Sequence, residues 1–561
     1  LPGQGLLRIN PEQPLAGCLQ TFIKGGPVIT LAIILLALTL LIGLGIYALQ
    51  RQSKQPDKHS DMAVTVIHSG KDASWHAPVF EAPGHAPFFI KPWLQAGDAP
   101  RFATAAEGES LEIVWHTVDD SRAFRVEIGP PGSSANGAPG PDPKRPVFIP
   151  TSREIAVSGV VGQVQYVAKL TGLVPGAKFD YTVFADGLPV YSATAKARPA
   201  VGVSFKALIF GDMGNGSKWQ KRIAHQMSQN DKYGAELVLS TGDVVYQNGR
   251  YSEYLSKFFA VYQPQLEGPD HGATLFDNTV ALSCGGNHDF GWLDHDCLVS
   301  FDEYPDMMAY YPLWSMPLNG PDSATLGANQ PPLKGQAAAI KAMLAASGER
   351  FPRMANYSYD YGTAHFLVLD ANVYMDWTDA KLRQWVEDDL KAVAAGQWKI
   401  VAFHQPPFTS NINHQSEQRM RFLADIFERC GVDVVFNGHA HLYDRSYPLT
   451  FTVDGGIKRS AMDAAGYVPG KFVYDTKFDG VQNTVPNGII YIVTGGGGAK
   501  LDSKELDGLP SLWQPSTVKL LGARHSFTVA DFSPAALRLT QIDYEGKTVD
   551  EFVITRKAAG V

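Results

Sequence analysis

The sequence predicts one N-terminal transmembrane helix, a small all-β domain, and a larger α/β (α+β) domain built as a layered sandwich. Three observations carry this. Pro27 to Leu49 contains no charged residue and is dominated by Leu, Ile, Ala and Val. From Pro87 to about Pro199, short runs alternate apolar and polar residues between glycine and proline punctuation. Beyond Val203 the pattern becomes short apolar runs separated by loops and helical periodicity. At 561 residues the chain exceeds what one core usually serves, so two folded domains plus appendages are expected.

The elements follow in order. Residues 1–26 form an N-terminal tail. At the helical rise, residues 27–49 reach about 34 Å, enough to cross a hydrocarbon core of roughly 30 Å. Arg8 and Lys24 precede this run and Arg51, Lys54 and Lys58 follow it, a balance that leans toward a cytoplasmic C-terminal side without deciding it. Residues 50–86 are polar, with scattered proline and glycine, and read as a linker. In residues 87–200, Leu111 to Trp115, Phe124 to Ile128, Val164 to Leu170 and Phe179 to Phe184 read as strands of a small β-sandwich. Gly129 to Pro146 is a Gly/Pro/Ser-rich loop. No internal repeat interrupts this order.

In residues 201–556, Phe205 to Phe210, Leu237 to Ser240, Thr279 to Ser283, Phe366 to Leu369, Ile400 to Phe403 and Val432 to Phe436 are short apolar runs suited to buried strands. Asp379 to Ala395 and Ser416 to Cys430 carry helical periodicity, the latter with Phe422, Ile426 and Phe427 on one face. Tyr310 to Arg353 is polar and rich in Ala, Pro and Gly, and reads as a surface insertion.

Chemistry-bearing residues stand where these strands end, the place α/β proteins use for their sites. They are Gly211-Asp212-Met213-Gly214, Gly242-Asp243-Val244-Val245-Tyr246, Gly286-Asn287-His288-Asp289, Phe403-His404 and Gly438-His439-Ala440-His441. One such fragment alone is a capped turn or a hydrogen-bonded core histidine. Five in sequence supply oxygen and nitrogen donors suited to Fe, Zn or Mn. The His-x-His pair fits the geometry of a strand, where residues two apart share a face. Gly495 to Gly498 lacks the Lys-Ser/Thr of a phosphate loop, so its glycines are expected to let backbone pass close to the centre.

GDxG, GDxxY, GNHD, a strand-end histidine and GHxH in this order resemble the metallophosphoesterase superfamily. Tyr246, three residues after Asp243, narrows the resemblance to the purple acid phosphatases, over roughly residues 87 to 556. Lys91-Pro92-Trp93-Leu94-Gln95 resembles the start of that family's fibronectin-III-like N-terminal domain. The resemblance implies a first metal, Fe(III), held by Asp212, Asp243, Tyr246 and His441. It implies a second, divalent metal (Zn, Fe or Mn) held by Asn287, His404 and His439, with Asp243 bridging. Hard phenolate and carboxylate donors suit the trivalent ion, neutral amide and imidazole the divalent one. His288 should face the phosphate, and His414 matches the family histidine that protonates the leaving oxygen. Asn413 stands where many members carry a second histidine.

The implied activity is an acid phosphatase that hydrolyses phosphate monoesters by a metal-bound hydroxide. A phosphodiesterase or nucleotide pyrophosphatase on the same scaffold is the nearest alternative, and a surface binding protein with a vestigial site the more distant one. The net charge of −8 argues against a broad nucleic-acid surface. Four cysteines without a CxxC pair exclude a disulfide framework, leaving a single Cys284–Cys297 bridge open. The expected partners are a phosphate ester and, through residues 27–49, a membrane, with the folded domains outside the cytoplasm.

Overall fold

The computed structural model describes residues 88–99, 108–118, 122–133, 144–294 and 297–556, all within one compact unit, Ser74–Val561. The expected spanning segment and linker lie outside the described residues. Among the described residues, no helix is long and apolar enough to cross a membrane.

In chain order the N-terminal strands are β1 (Phe88–Gln95), β2 (Glu109–Thr117), β3 (Phe124–Gly129), β4 (Val147–Phe148), β5 (Thr151–Ile155), β6 (Gln163–Leu173), β7 (Lys178–Ala185) and β8 (Leu188–Lys196). They make two four-strand layers, β1-β2-β6-β5 and β4-β3-β7-β8. Trp115 of β2 stacks on Tyr166 of β6, and both rings meet Phe124 of β3 between the layers. Period-2 patterning therefore buries one face of each layer.

The α/β part begins with β9 (Phe205–Phe210), β10 (Leu237–Ser240) and β11 (Val280–Ser283), which are mutually parallel. Next come the ribbon β12 (Trp292–Asp294) and β13 (Cys297–Leu298), then β14 (Tyr357–Tyr361), β15 (Ala364–Val368), β16 (Trp398–Ala402) and β17 (Val434–Asn437). The chain closes with β18 (Tyr443–Ser446), β19 (Leu449–Val453), β20 (Gly470–Tyr474), β21 (Ile490–Thr494), β22 (Thr517–Leu521), β23 (Ser526–Phe532), β24 (Ala536–Asp543) and β25 (Thr548–Thr555). One sheet runs β25-β24-β23-β9-β10-β11-β1-β2-β6-β5, and a second β14-β15-β16-β17-β21-β18-β22.

Alternation along the second sheet explains its fully apolar strands. Phe366, Ile400, Val434, Ile490 and Ile492 face the core shared with the first sheet. Leu367, Val401, Val435 and Tyr491 face a second core under the helices. Strands buried on both faces lose the polar half of the alternation. Across the first core, Phe205 of β9 and Phe532 of β23 stack at 4.6 Å, and Phe366 of β15 packs against both.

Three helices illustrate the local rules. Helix α1 (Lys218–Met227) starts at Ser217, whose hydroxyl accepts from the Gln220 amide. Helix α2 (Ala380–Lys391) starts at Asp379, which caps Lys381 and Leu382, and buries Leu382, Val386 and Leu390 at spacings of four. The expected helix from Ser416 to Cys430 is shorter: Arg419–Leu423 is 3-10 and only Ala424–Arg429 is α-helical, named α3.

The expected surface insertion at Tyr310–Arg353 is corrected at its start. Tyr310, Tyr311, Leu313 and Trp314 are buried, and Trp314 meets Trp93 of β1 at 4.9 Å. Their bulky rings fill the junction between β1 and the α/β sheet, which the Ala/Pro/Gly-rich composition of the whole segment conceals. Three contacts fasten β1 and β2 there. Gln95 lies opposite Ala281 of β11, the Gln95 amide donates to the Leu313 carbonyl, and Arg198 forms a buried ion pair with Glu109. Cys284 is a free, buried thiol. The Asn356 side chain is also buried and accepts from the Asp370 amide.

Candidate metal centre

Parallel β9, β10, β11, β16, β17 and β21 end at the edge where the two sheets meet. The Gly211 amide donates to the Thr494 carbonyl across that junction. Asp212 follows β9, Asp243 follows β10 and Asn287 follows β11; His404 follows β16, and His439 and His441 follow β17. The sequence puts His439 and His441 just past the end of the strand Val432 to Phe436, and the structure agrees. The pair lies beyond β17 in a turn, with His439 at φ +67°. Asp212 and Asp243 are also left-handed, at φ +57° and +51°. Three of the five non-glycine residues with positive φ among the described residues thus belong to this cluster. Strained backbone of that kind persists only where surrounding contacts over-determine it.

Glycines allow the crowding. A Cβ on Gly286 would lie 2.1 Å from Asp243 Oδ1, and one on Gly438 would lie 2.6 Å from Asp212 Oδ2. Gly495 follows the same rule, with a Cβ 2.7 Å from Asp212 Oδ2.

The side chains gather in two groups. In the first, the Tyr246 hydroxyl lies 3.0 Å from Asp212 Oδ1 and 3.1 Å from His441 Nε2, with His441 Nε2 3.4 Å from Asp212 Oδ1. In the second, His404 Nε2 lies 3.2 Å from Asp243 Oδ1 and 3.1 Å from Asn287 Oδ1, while Asp243, His404 and His439 present donor atoms within 4.8 Å of one another. His404 Nε2 stands 4.0 Å from Asp212, so the groups adjoin.

The donor set fits metal ions. Each imidazole has one nitrogen held by an outer acceptor: His404 Nδ1 by the Thr241 carbonyl at 2.8 Å, His441 Nδ1 by the Lys500 carbonyl at 2.7 Å, and His439 Nε2 by Glu417 at 2.7 Å. Such partners fix the tautomer and leave the other nitrogen for an ion. Charge points the same way. Burial would lower the His404 and His441 pKa values, yet Asp243 pushes His404 up to about 10, and Asp212 pushes His441 up to about 9. Burial opposes the charge on Asp243, yet His404 and His288 hold its carboxyl below the usual carboxylate range. Burial, then Asp212 and Asp243, drive the Tyr246 phenol well above its ordinary value, so its ionisation requires a nearby cation. Asp289, raised to about 7 by burial and Asp243, accepts from the Gly286 and Val244 amides and braces the loop.

His288 and His414 flank the groups. His288 Nδ1 lies 2.6 Å from the Gln247 carbonyl, its Nε2 lies 3.8 Å from Asp243 Oδ2, and its ring meets Tyr246 at 4.6 Å. The His414 ring lies 4.0 Å from that of His439. Sequence reasoning missed two carboxylates here. Glu417 Oε1 accepts from both His414 Nδ1 (3.0 Å) and His439 Nε2, and Asp502 Oδ2 lies 3.6 Å from His414 Nε2. Burial lowers the His414 pKa, but Asp502 and Glu417 outweigh it and raise the value to about 9. Only the i, i+3 spacing of Glu417 from His414 could have signalled the first. Asp502 comes from the loop after β21, 88 positions beyond His414, and carries no local signal.

The family model of the calcineurin-like phosphoesterases matches residues 205–443. Among curated proteins, acid phosphatase type 7 of Mus musculus is 25% identical over 226 residues, which is 36% of this chain and 47% of that protein. Probable inactive purple acid phosphatase 27 of Arabidopsis thaliana is 24% identical over 449 residues, 74% of this chain and 62% of that protein. Among solved structures, a purple acid phosphatase from yellow lupin (Lupinus luteus) seeds superposes with a TM-score of 0.58 at 17% identity, covering 83% of this chain and 74% of the lupin chain. Over residues 205–443 the chain matches the calcineurin-like phosphoesterases, and it is similar to purple acid phosphatases. It shares the metallophosphoesterase fold with a β-rich region ahead of it, and it spans about half the length of the mouse relative. The matched stretch runs from β9 to β18 and contains Asp212, Asp243, Tyr246, Asn287, His404, His439 and His441.

Proposed function

We propose that this protein is an acid phosphatase that hydrolyses phosphate monoesters at a dinuclear metal centre, with an acidic pH optimum. The observation that carries the reading is the pair of adjoining donor groups, each with its imidazoles oriented by an outer acceptor. Asp212, Tyr246 and His441 would hold Fe(III), and Asn287, His404 and His439 a divalent Zn, Fe or Mn ion, with Asp243 shared. Bound there, two metals supply an acidified water and charge neutralisation for the phosphoryl group.

The chain's own residues do the rest. His288, fixed through Nδ1, presents its ring at the Asp243 side and orients a phosphoryl oxygen. His414, held between Glu417 and Asp502, carries the proton that the departing alkoxide takes up. The β-rich region, residues 87–200, is assigned as a fibronectin-III-like domain ahead of the catalytic domain at 201–556. Residues 27–49 anchor the protein in a membrane with these domains outside the cytoplasm.

The test is hydrolysis of nitrophenyl phosphate against bis-nitrophenyl phosphate from acidic to neutral pH, with His404→Ala as the blank. Monoester preference with an acidic optimum supports the reading. Diester preference would move the function to a phosphodiesterase on the same metals, and activity undiminished in His404→Ala would refute the metal mechanism.

A further inference from the structure

Behind the segment that carries His414 lies a cavity of about 360 Å³, separate from the metal donors. Its walls come from β20, from the 405–418 segment and from the stretch before β22. Tyr467, Phe472 and Tyr474 supply aromatic surface, Gln415, Gln418 and Gln514 supply amides, Thr409 and Ser516 supply hydroxyls, and no acidic side chain lines it. The single cation is Arg421.

Arg421 is firmly placed. Its Nε donates to the Pro407 carbonyl at 2.8 Å and its Nη1 to the Val468 carbonyl at 3.0 Å. The guanidinium lies over Phe408, Phe451 and Phe472 at 4.7, 5.1 and 5.4 Å. These contacts fix the plane but leave the charge without a counter-ion, since no carboxylate pairs with Arg421 among the described residues and Nη2 makes no hydrogen bond there. Burial brings its pKa down to about 9, opposed only by the phenols of Tyr474 and Tyr491. A half-buried guanidinium with one nitrogen free of protein partners is open to an anion. Here the open side of the charge faces a cavity with aromatic walls.

We propose that this cavity is a second ligand site, for a small aromatic carboxylate whose anionic end meets Arg421 and whose ring packs between Tyr467 and Phe472. One cation, with the amides of Gln415, Gln418 and Gln514, suits a monoanion; a phosphate dianion would call for a second cation, which these walls do not provide. The volume lies at the lower end of small-molecule cavities.

The test uses the full chain with benzoate as probe, followed by saturation-transfer NMR in the presence of saturating inorganic phosphate. Binding that persists with phosphate, and weakens at least tenfold in both Arg421→Gln and Gln514→Glu, supports the site. Gln514 is exposed and its substitution adds only a negative charge at the rim, so that variant reads out even if Arg421→Gln fails to fold. Benzoate displaced by phosphate, benzamide binding as tightly as benzoate, or no benzoate binding up to about 10 mM would each overturn the proposal. His404→Ala retains benzoate binding whether or not the metal mechanism holds, which keeps the two readings separable.

Discussion

Glu417 offers the sharpest perturbation, because one carboxylate oxygen serves two histidines with different tasks. Oε1 lies 2.7 Å from His439 Nε2 and 3.0 Å from His414 Nδ1, in a buried setting. Glu417→Gln keeps the shape and an acceptor oxygen but removes the charge. Hydrogen bonds to a charged group contribute about 1.5–3 kcal/mol, against about 0.5–1.5 for neutral pairs. Each bond therefore weakens by about 1–1.5 kcal/mol, and the two together by about 2–3 kcal/mol. At about 1.4 kcal/mol per tenfold, kcat/KM for nitrophenyl phosphate should fall about 30- to 150-fold. His439 accounts for about half of this, so metal affinity measured by chelator competition should weaken about tenfold, within the range known for outer ligand partners. Unchanged metal affinity with lowered kcat/KM would sever Glu417 from His439. A variant within threefold of the parent in both assays would refute the argument altogether.

Three further outcomes follow from the geometry. Burial would lower the pKa of His365, but Asp360 and Asp389, at 2.7 and 2.8 Å, raise it above its ordinary 6.5. A raised folded pKa gives stability that is complete below about pH 6.5 and lost as pH climbs through the folded value. Urea midpoints should therefore fall above neutral pH more steeply in the parent than in His365→Gln, and parallel profiles would count against the buried imidazolium. Glu109→Ala removes the carboxylate paired with the buried Arg198 guanidinium and should cost about 3–5 kcal/mol in unfolding free energy, checked by chemical denaturation. Tyr246→Phe should abolish any visible charge-transfer band of the purified holoprotein while leaving circular dichroism unchanged; a persisting band would place the chromophore on another ligand.

The strands of the α/β part were legible because burial on both faces makes them unbroken apolar runs, as in Ile400 to Phe403. The candidate donors were legible because most of these apolar runs end in glycine followed by an acid, amide or imidazole, and Ile400 to Phe403 ends directly in His404. What escaped was tertiary in origin. Nothing near Asp502 announces that it approaches His414, because the loop after β21 delivers it from a distant part of the chain. Glu417 looked like one more polar helix-start residue, yet the shortened helix leaves it in a loop facing His439. The turn that turns His439 and His441 inward depends on a left-handed residue that no strand pattern contains. Tyr310 to Trp314 were hidden by averaging, since a short aromatic cluster disappears inside a long Ala- and Pro-rich segment.

The lateral pairing of β1 with β11 limits how far the two halves can be treated as modules. A chain cut at residue 200 would lose strands β1 to β8 and bare the flank of β11, an open hydrogen-bonding edge of the kind that recruits other strands. It would also uncover Trp314 and its aromatic neighbours. Shuffling this α/β half onto a different leading domain should therefore yield aggregates unless the newcomer brings its own edge strand.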